Sequence, residues 1–175
     1  MDSTTAIRRA LAAAALLAVT ACSSAAAKKT AAVDNRTAHV GQTAPNWSEP
    51  TAPGGTLSLA SLRGKAVYLN FFASWCPPCN EEAPQIETLQ RQYASQGLQV
   101  VGVDVLENQR KAAQFRQAHH LTYPAVVDDG TLRDQYGING LPVHVFIDRS
   151  GVVRNVVIGE LSAAEMRANI QKLLR

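Results

Sequence analysis

Three observations predict an α/β domain with a central mixed β-sheet flanked by helices. The apolar run Ala66–Phe72 leads into Cys76-Pro77-Pro78-Cys79 and a helical pattern. A second apolar run, Leu98–Val105, follows that helix. Near the C-terminus two more apolar runs are joined by Asp148-Arg149-Ser150-Gly151. Strand, crossover helix and strand make a right-handed parallel unit, whereas a four-residue turn signal joins antiparallel neighbours.

Taken in order, Pro45, Pro50 and Pro53 punctuate an irregular entry, Thr56–Leu59 forms a short edge strand and Leu62-Arg63-Gly64-Lys65 a turn. Ala66–Phe72 lacks alternation, as expected of a central strand covered on both faces. The next helix runs from about Cys76 to Gln96, with Ile86, Leu89 and Tyr93 on one face and Gly97 as its stop; Pro84 inside it is expected to kink it. Leu98–Val105 is the second strand. Residues 108–119 carry a helical pattern through Ala112, Phe115 and Ala118, and Tyr123–Val127 is a short extended run. Asp128-Asp129-Gly130 turns into a short helix, Thr131–Tyr136, ended by Gly137. Val143–Ile147 and Val152–Ile158 form the hairpin. Ser162, with Glu165 three residues on, is a capping box for a last helix through Met166, Ile170, Leu173 and Leu174.

The chemistry concentrates at the C-x-x-C. Cys76 falls at a helix N-terminus, where free N–H groups and the macrodipole favour its thiolate, the attacking species of thiol–disulfide exchange. Cys79, three residues on and on the same face, is placed to close a disulfide with Cys76 and so resolve a mixed disulfide. Pro77 and Pro78 suit a first turn because no N–H is needed there. A zinc site needs four ligands, and the one other cysteine is the distant Cys22. A purely structural disulfide leaves the helix-tip placement unexplained and, with so short a loop, constrains the unfolded chain little. No metal and no cofactor are expected beyond the redox-active Cys76–Cys79 disulfide.

The chain has 175 residues, 46% hydrophobic and 18% charged, which suits one compact domain plus an appended segment. Its formal charge of +3 comes from the N-terminus. The chain carries seventeen bases and fourteen acids; setting aside Arg8, Arg9, Lys28, Lys29 and Arg36 with Asp2 and Asp34 leaves twelve of each in residues 41–175. That balance excludes a basic nucleic-acid footprint. Arg8-Arg9, the apolar stretch Ala10–Val19 and Thr20-Ala21-Cys22 read as the charged, apolar and cleavage regions of a signal peptide over residues 1–21, too short to span a bilayer. Leu16 to Cys22 resembles the lipobox of bacterial lipoproteins, and that resemblance implies lipidation of Cys22. Residues 22–40, with the anchor at their start, form a tether with a root-mean-square reach of about 25 Å, leaving 41–175 as the domain. The expected address is extracytoplasmic and anchored to the cell membrane.

Several segments together resemble the TlpA-like/ResA-like branch of thioredoxin-fold oxidoreductases. They are Gly41-Gln42-Thr43-Ala44-Pro45; Leu59 through Gly64-Lys65; Asn70 through Cys79 with Glu82 and Pro84; and Gly140-Leu141-Pro142 with Phe146-Ile147-Asp148 and Gly151. The resemblance implies a thioredoxin-like fold with an N-terminal extension and a central helix–strand insert between residues 106 and 127. It makes Cys76 the nucleophile and Cys79 the resolving thiol. Pro142 becomes a cis-proline beside the disulfide, with Leu141 offering backbone hydrogen bonds to an extended substrate, and Trp75 shapes the substrate groove. Where thioredoxin has a buried aspartate on the preceding strand, this chain has Asn70, which cannot titrate. Glu82, i+3 from Cys79, then takes over the proton relay, because partial burial raises a carboxylate's pKa.

One histidine departs from the family pattern. His144 stands near Pro142 where threonine is common: facing the thiols it stabilises the Cys76 thiolate, facing the other way it is inert, and alternation leaves both open. His119-His120 reads as a solvated pair, since adjacent residues on a helix end diverge. The family's usual activity implies reduction of disulfides in exported proteins, for example apocytochrome c, with a membrane thiol transporter supplying electrons. A disulfide-forming oxidant remains the alternative. A copper-delivery module is disfavoured by the two-residue spacing, and a peroxidase by the missing threonine-cysteine-arginine constellation.

Overall fold

The computed structural model describes residues 39–175. The expected signal peptide, Cys22 and all but the end of the expected tether lie outside these residues. Seven strands form one mixed sheet in the order β2-β1-β5-β4-β3-β6-β7. The strands are β1 (Ser48–Ala52), β2 (Thr56–Ser58), β3 (Ala66–Phe72), β4 (Leu98–Val105), β5 (Ala125–Asp128), β6 (Val143–Ile147) and β7 (Val153–Ile158). The helices are α1 (Pro77–Tyr93), α2 (Gln109–Ala118), α3 (Thr131–Gln135) and α4 (Ala163–Leu173). No helix among the described residues is long and apolar enough to cross a membrane.

The centre is the parallel trio β3, β4 and β5, with β6 antiparallel to β3 and β7 antiparallel to β6. All seven residues of β3 are buried, so the sheet is covered on both sides, as its unbroken apolar run requires. Pleating sends Tyr68 and Phe72 toward the face packed by α1, α2 and α4, and Val67, Leu69 and Phe71 toward the opposite core with Leu132 and Ile138. On β6 the same alternation puts Phe146 on the α1/α4 face, stacked on Tyr68 at 4.6 Å between ring centroids, and His144 with it.

Three elements differ from the sequence expectation. The proline-rich entry contains a strand, β1, which pairs with β2 through residues 48–50 and with β5 through 51–52. Pro50 is tolerated because the β1–β5 ladder takes in only Thr51 and Ala52, so its missing N–H removes no bond on that side. Leu59 leaves the edge strand for a 3-10 turn, Leu59–Leu62, because the Ser58 hydroxyl accepts from Ser61 N–H and caps a new turn. The long helix ends at Tyr93, and Ala94–Gln96 tighten into a 3-10 turn closed by Gly97 at φ 94°. Helix α1 continues through Pro84, whose carbonyl accepts from the Thr88 hydroxyl at 2.9 Å. The capping box of α4 forms as expected, with Ser162 and Glu165 each accepting from the other's backbone.

Candidate active site

The strand β3 delivers the chain to a loop, Ala73–Trp75, and then to α1. Cys76 is the N-cap of α1 and its Sγ accepts from Cys79 N–H at 3.3 Å. A sulfur in that position receives an orphan helix donor and the positive end of the dipole, which stabilises a thiolate there once the bond is reduced. Cys76 and Cys79 form a disulfide with Cα atoms 5.3 Å apart, and both are buried. Leu141–Pro142 is a cis peptide, and the Pro142 carbonyl accepts from Gly159 N–H at 2.9 Å. Trp75, 70% exposed, and Leu141 line one groove of about 380 Å3 together with Leu106, Arg133 and Ile138. Trp75 and Leu141 are therefore brought to one groove, while the buried Pro142 does not line it.

Glu82 projects from α1 into the core and is 4% exposed. Its Oε1 accepts from Leu161 N–H at 2.6 Å, while Oε2 has no hydrogen-bond partner and lies 3.5 Å from His144 Nε2. Burial pushes the carboxyl up to about 7, against the lowering effect of the Leu161 bond. His144 is fully buried. Its Nε2 sits 3.1 Å from the Gly159 carbonyl, which can only accept, so Nε2 carries the hydrogen. Nδ1 therefore accepts from the Tyr68 hydroxyl at 2.8 Å. Burial pushes the imidazole down to about 4, which leaves it neutral at pH 7. Of the two orientations the sequence left open, the structure takes the one facing α1, and the group His144 meets there is Glu82.

A second buried acid was not singled out from the sequence. Asp104, on the α1/α2 side of β4, is fully buried, and no N–H or hydroxyl donor reaches either of its oxygens. Burial and the neighbouring Glu107 carboxyl push it up to about 8, so at neutral pH it is a protonated acid able to share its hydrogen with Glu107. Glu107 in turn accepts from Ser74 N–H at 2.5 Å and from the Ser74 hydroxyl at 2.7 Å, two residues before Cys76. The available signal was an aspartate in a strand whose other residues, Gln99 apart, are apolar. Asn80 holds the same loop from α1: its amide donates to the carbonyls of Ser74 (3.1 Å) and Cys76 (2.8 Å). Both donors being used, Oδ1 faces His119 Nε2 at 2.9 Å, so His119 donates. This corrects the expectation of a solvated pair: His119 is half-buried against Phe115, while His120 is exposed. Among the described residues no group of three or more His, Cys, Asp or Glu is gathered to hold a metal ion.

The model of the AhpC/TSA family matches residues 40–156. The chain belongs to the AhpC/TSA family. Thiol-disulfide oxidoreductase ResA of Bacillus cereus is 30% identical over 141 residues, which cover 80% of this chain and 82% of that one. Among solved structures, a thiol:disulfide interchange protein of the thioredoxin family from Chlorobium tepidum TLS superposes with a TM-score of 0.72 at 34% identity, covering 77% of this chain and 97% of its own. A secreted Mycobacterium tuberculosis disulfide oxidoreductase, homologous to E. coli DsbE, gives 0.67 at 25% identity over 73% of this chain and 96% of its own. This AhpC/TSA member is accordingly a thiol–disulfide oxidoreductase of ResA/DsbE type on a thioredoxin-like fold, with Cys76–Cys79 as its disulfide.

Proposed function

We propose that the protein reduces disulfides of exported proteins, apocytochrome c among them, outside the cytoplasm. It is held at the cell membrane by lipidated Cys22 and recharged by a membrane thiol transporter. The observation that carries the direction is the chemistry of the core behind the dithiol: its buried titratable groups are Glu82 and Asp104, raised to about 7 and about 8, and an uncharged His144. Strong oxidants of this fold owe their potential to a stabilised reduced form. With the nearby imidazole uncharged, the thiolate gains no cation from the buried side, which withholds that stabilisation and favours a reductant. The extracytoplasmic address is supported by the signal-like N-terminus and by the secreted structural relative.

The reaction follows from the geometry. The Cys76 thiolate attacks one sulfur of the substrate disulfide, and the other leaves as a thiolate that takes a proton from water. The substrate segment lies in the groove of Trp75 and Leu141, bonded to the backbone beside cis-Pro142. Glu82, as carboxylate, accepts the Cys79 proton. The Cys79 thiolate then attacks Cys76 Sγ, re-forming the intramolecular disulfide and expelling the second substrate thiolate. Two electrons have passed from the enzyme dithiol to the substrate.

Equilibrating the Cys76/Cys79 couple with glutathione tests the direction. A potential near −270 mV is expected, and one near −120 mV identifies a disulfide-forming oxidant instead. A Cys79→Ala variant should retain exported partners on Cys76 as mixed disulfides that mass spectrometry can name.

A further inference from the structure

The charges of residues 41–175 cancel in sum but not in space. Strand β6 runs antiparallel to β3, with Val67 opposite Ile147 at one end and Phe71 opposite Val143 at the other, so the β6–β7 turn lies at the pole opposite the disulfide. Six of the twelve bases, Arg63, Lys65, Arg149, Arg154, Lys172 and Arg175, are exposed there. Four of them line a cleft of about 630 Å3 between the turn and the end of α4, and Arg63 and Lys65 line the adjoining cleft with Arg149. The one acid lining either cleft, Asp148, is paired with Arg154 at 2.6 Å. The charges at the opposite pole are mixed: Glu81, Glu107, Asp128 and Asp129 stand there with Arg110, Lys111 and Arg133, at the ends of β4 and β5 and near the starts of α1, α2 and α3.

Local duties account for part of the basic pole. Arg149 donates to the Gln96 carbonyl and Arg63 to that of Ser150, and Lys172 and Arg175 suit a helix C-terminus. They do not account for six exposed cations in a net-neutral domain. The place where the chain enters supplies the second observation. Gly41 N–H donates to the Val153 carbonyl at 2.8 Å and Ala44 N–H to that of Gly151 at 2.9 Å, so the segment that follows Cys22 and its tether arrives at this pole.

We propose that the basic pole is a docking surface for the anionic phospholipid headgroups of the membrane. The inference rests on the membrane tether proposed above. A chain anchored at Cys22 and entering beside six cations brings those cations to the lipid first, whereas the disulfide pole, where acids and bases are mixed, has no such attraction. The seven residues of β3 separate the two poles by about 23 Å, so the docked domain turns its disulfide toward the aqueous compartment, where exported substrates are.

The test uses the full chain with Cys22→Ser, so that no acyl chain contributes, and vesicles of phosphatidylcholine alone or mixed equally with phosphatidylglycerol. Co-sedimentation with the anionic vesicles is expected, with none on neutral ones and loss on raising the salt. Arg149→Gln, Lys172→Gln and Arg175→Gln together should weaken partitioning about a hundredfold, at roughly fivefold per base, with insulin-disulfide reduction unchanged. Binding by the triple variant equal to the parent's, equal binding to neutral vesicles, or a preference for duplex DNA over anionic vesicles overturns the proposal. Failure of the tether reading shows separately, as an unacylated Cys22 in the mass of the membrane-recovered chain.

Discussion

Glu82 and His144 lie against each other and titrate in opposite senses. The Glu82 carboxyl, raised to about 7, leaves the folded state binding more protons than the unfolded one between about pH 4.5 and 7, so its contribution falls as pH rises through that window. His144, lowered to about 4, does the reverse: the unfolded state binds the extra proton, and stability is regained as pH rises from about 4 to 6.5. The two trends offset each other up to about pH 6.5. Asp104 is not offset. Its carboxyl, raised to about 8, costs stability progressively from about pH 4 upward. Asp104→Asn keeps a donor for Glu107 and removes the charge, so in urea unfolding of the oxidised protein it should gain over wild type as pH rises, by a few kcal/mol at pH 8. A gap that stays flat from pH 5 to 8 refutes the buried-acid reading. Glu82→Gln should slow resolution of a mixed disulfide about a hundredfold and erase an inflection near pH 7 in its rate profile. A retained inflection assigns the Cys79 proton to another group.

At the scale of elements, the packing of β4 against β3 depends on a glycine chosen for space. A Cβ on Gly102 would stand 2.9 Å from Phe72 Cε1 and 3.5 Å from Tyr123, and Phe72 is already stacked on Phe115. Gly102→Ala is therefore expected to cost about 1–3 kcal/mol in thermal or chemical unfolding. The start of α4 bears on the site as well as on stability, since Leu161 N–H holds Glu82 and Ser162 caps the helix next to it. Ser162→Ala should cost about 1 kcal/mol. The strands β3, β4 and β6 and the α4 cap were legible because they satisfy strong local rules: an unbroken apolar run, a hairpin signal, a reciprocal cap. Strand β1 was not. Its place between β2 and β5 is created by two partners far away in sequence, and no local rule marks a proline-bearing segment as an inner strand.

For the molecule as a whole, a basic pole opposite a disulfide end of mixed charge makes a permanent dipole. Substrates meeting the disulfide meet the end away from the six cations. A disulfide peptide of net positive charge should be reduced about tenfold faster than its acidic counterpart at low ionic strength, and the advantage should vanish by about 0.5 M salt, where the screening length falls to a few ångströms. Equal rates at low salt remove steering from the picture.

What the sequence by itself determined was the reactive pair and the architecture that presents it. A strand running into a C-x-x-C at a helix tip is local information, carried by residues adjacent in the chain. What only the tertiary structure decided was the environment of that pair. His144 is brought by β6 to Glu82, Glu107 by the loop after β4 to Ser74, and His119 by the end of α2 to Asn80. Those meetings join positions 62, 33 and 39 residues apart, so no spacing rule reaches them. The protonation states they impose come from burial among neighbours that the chain acquires only by folding.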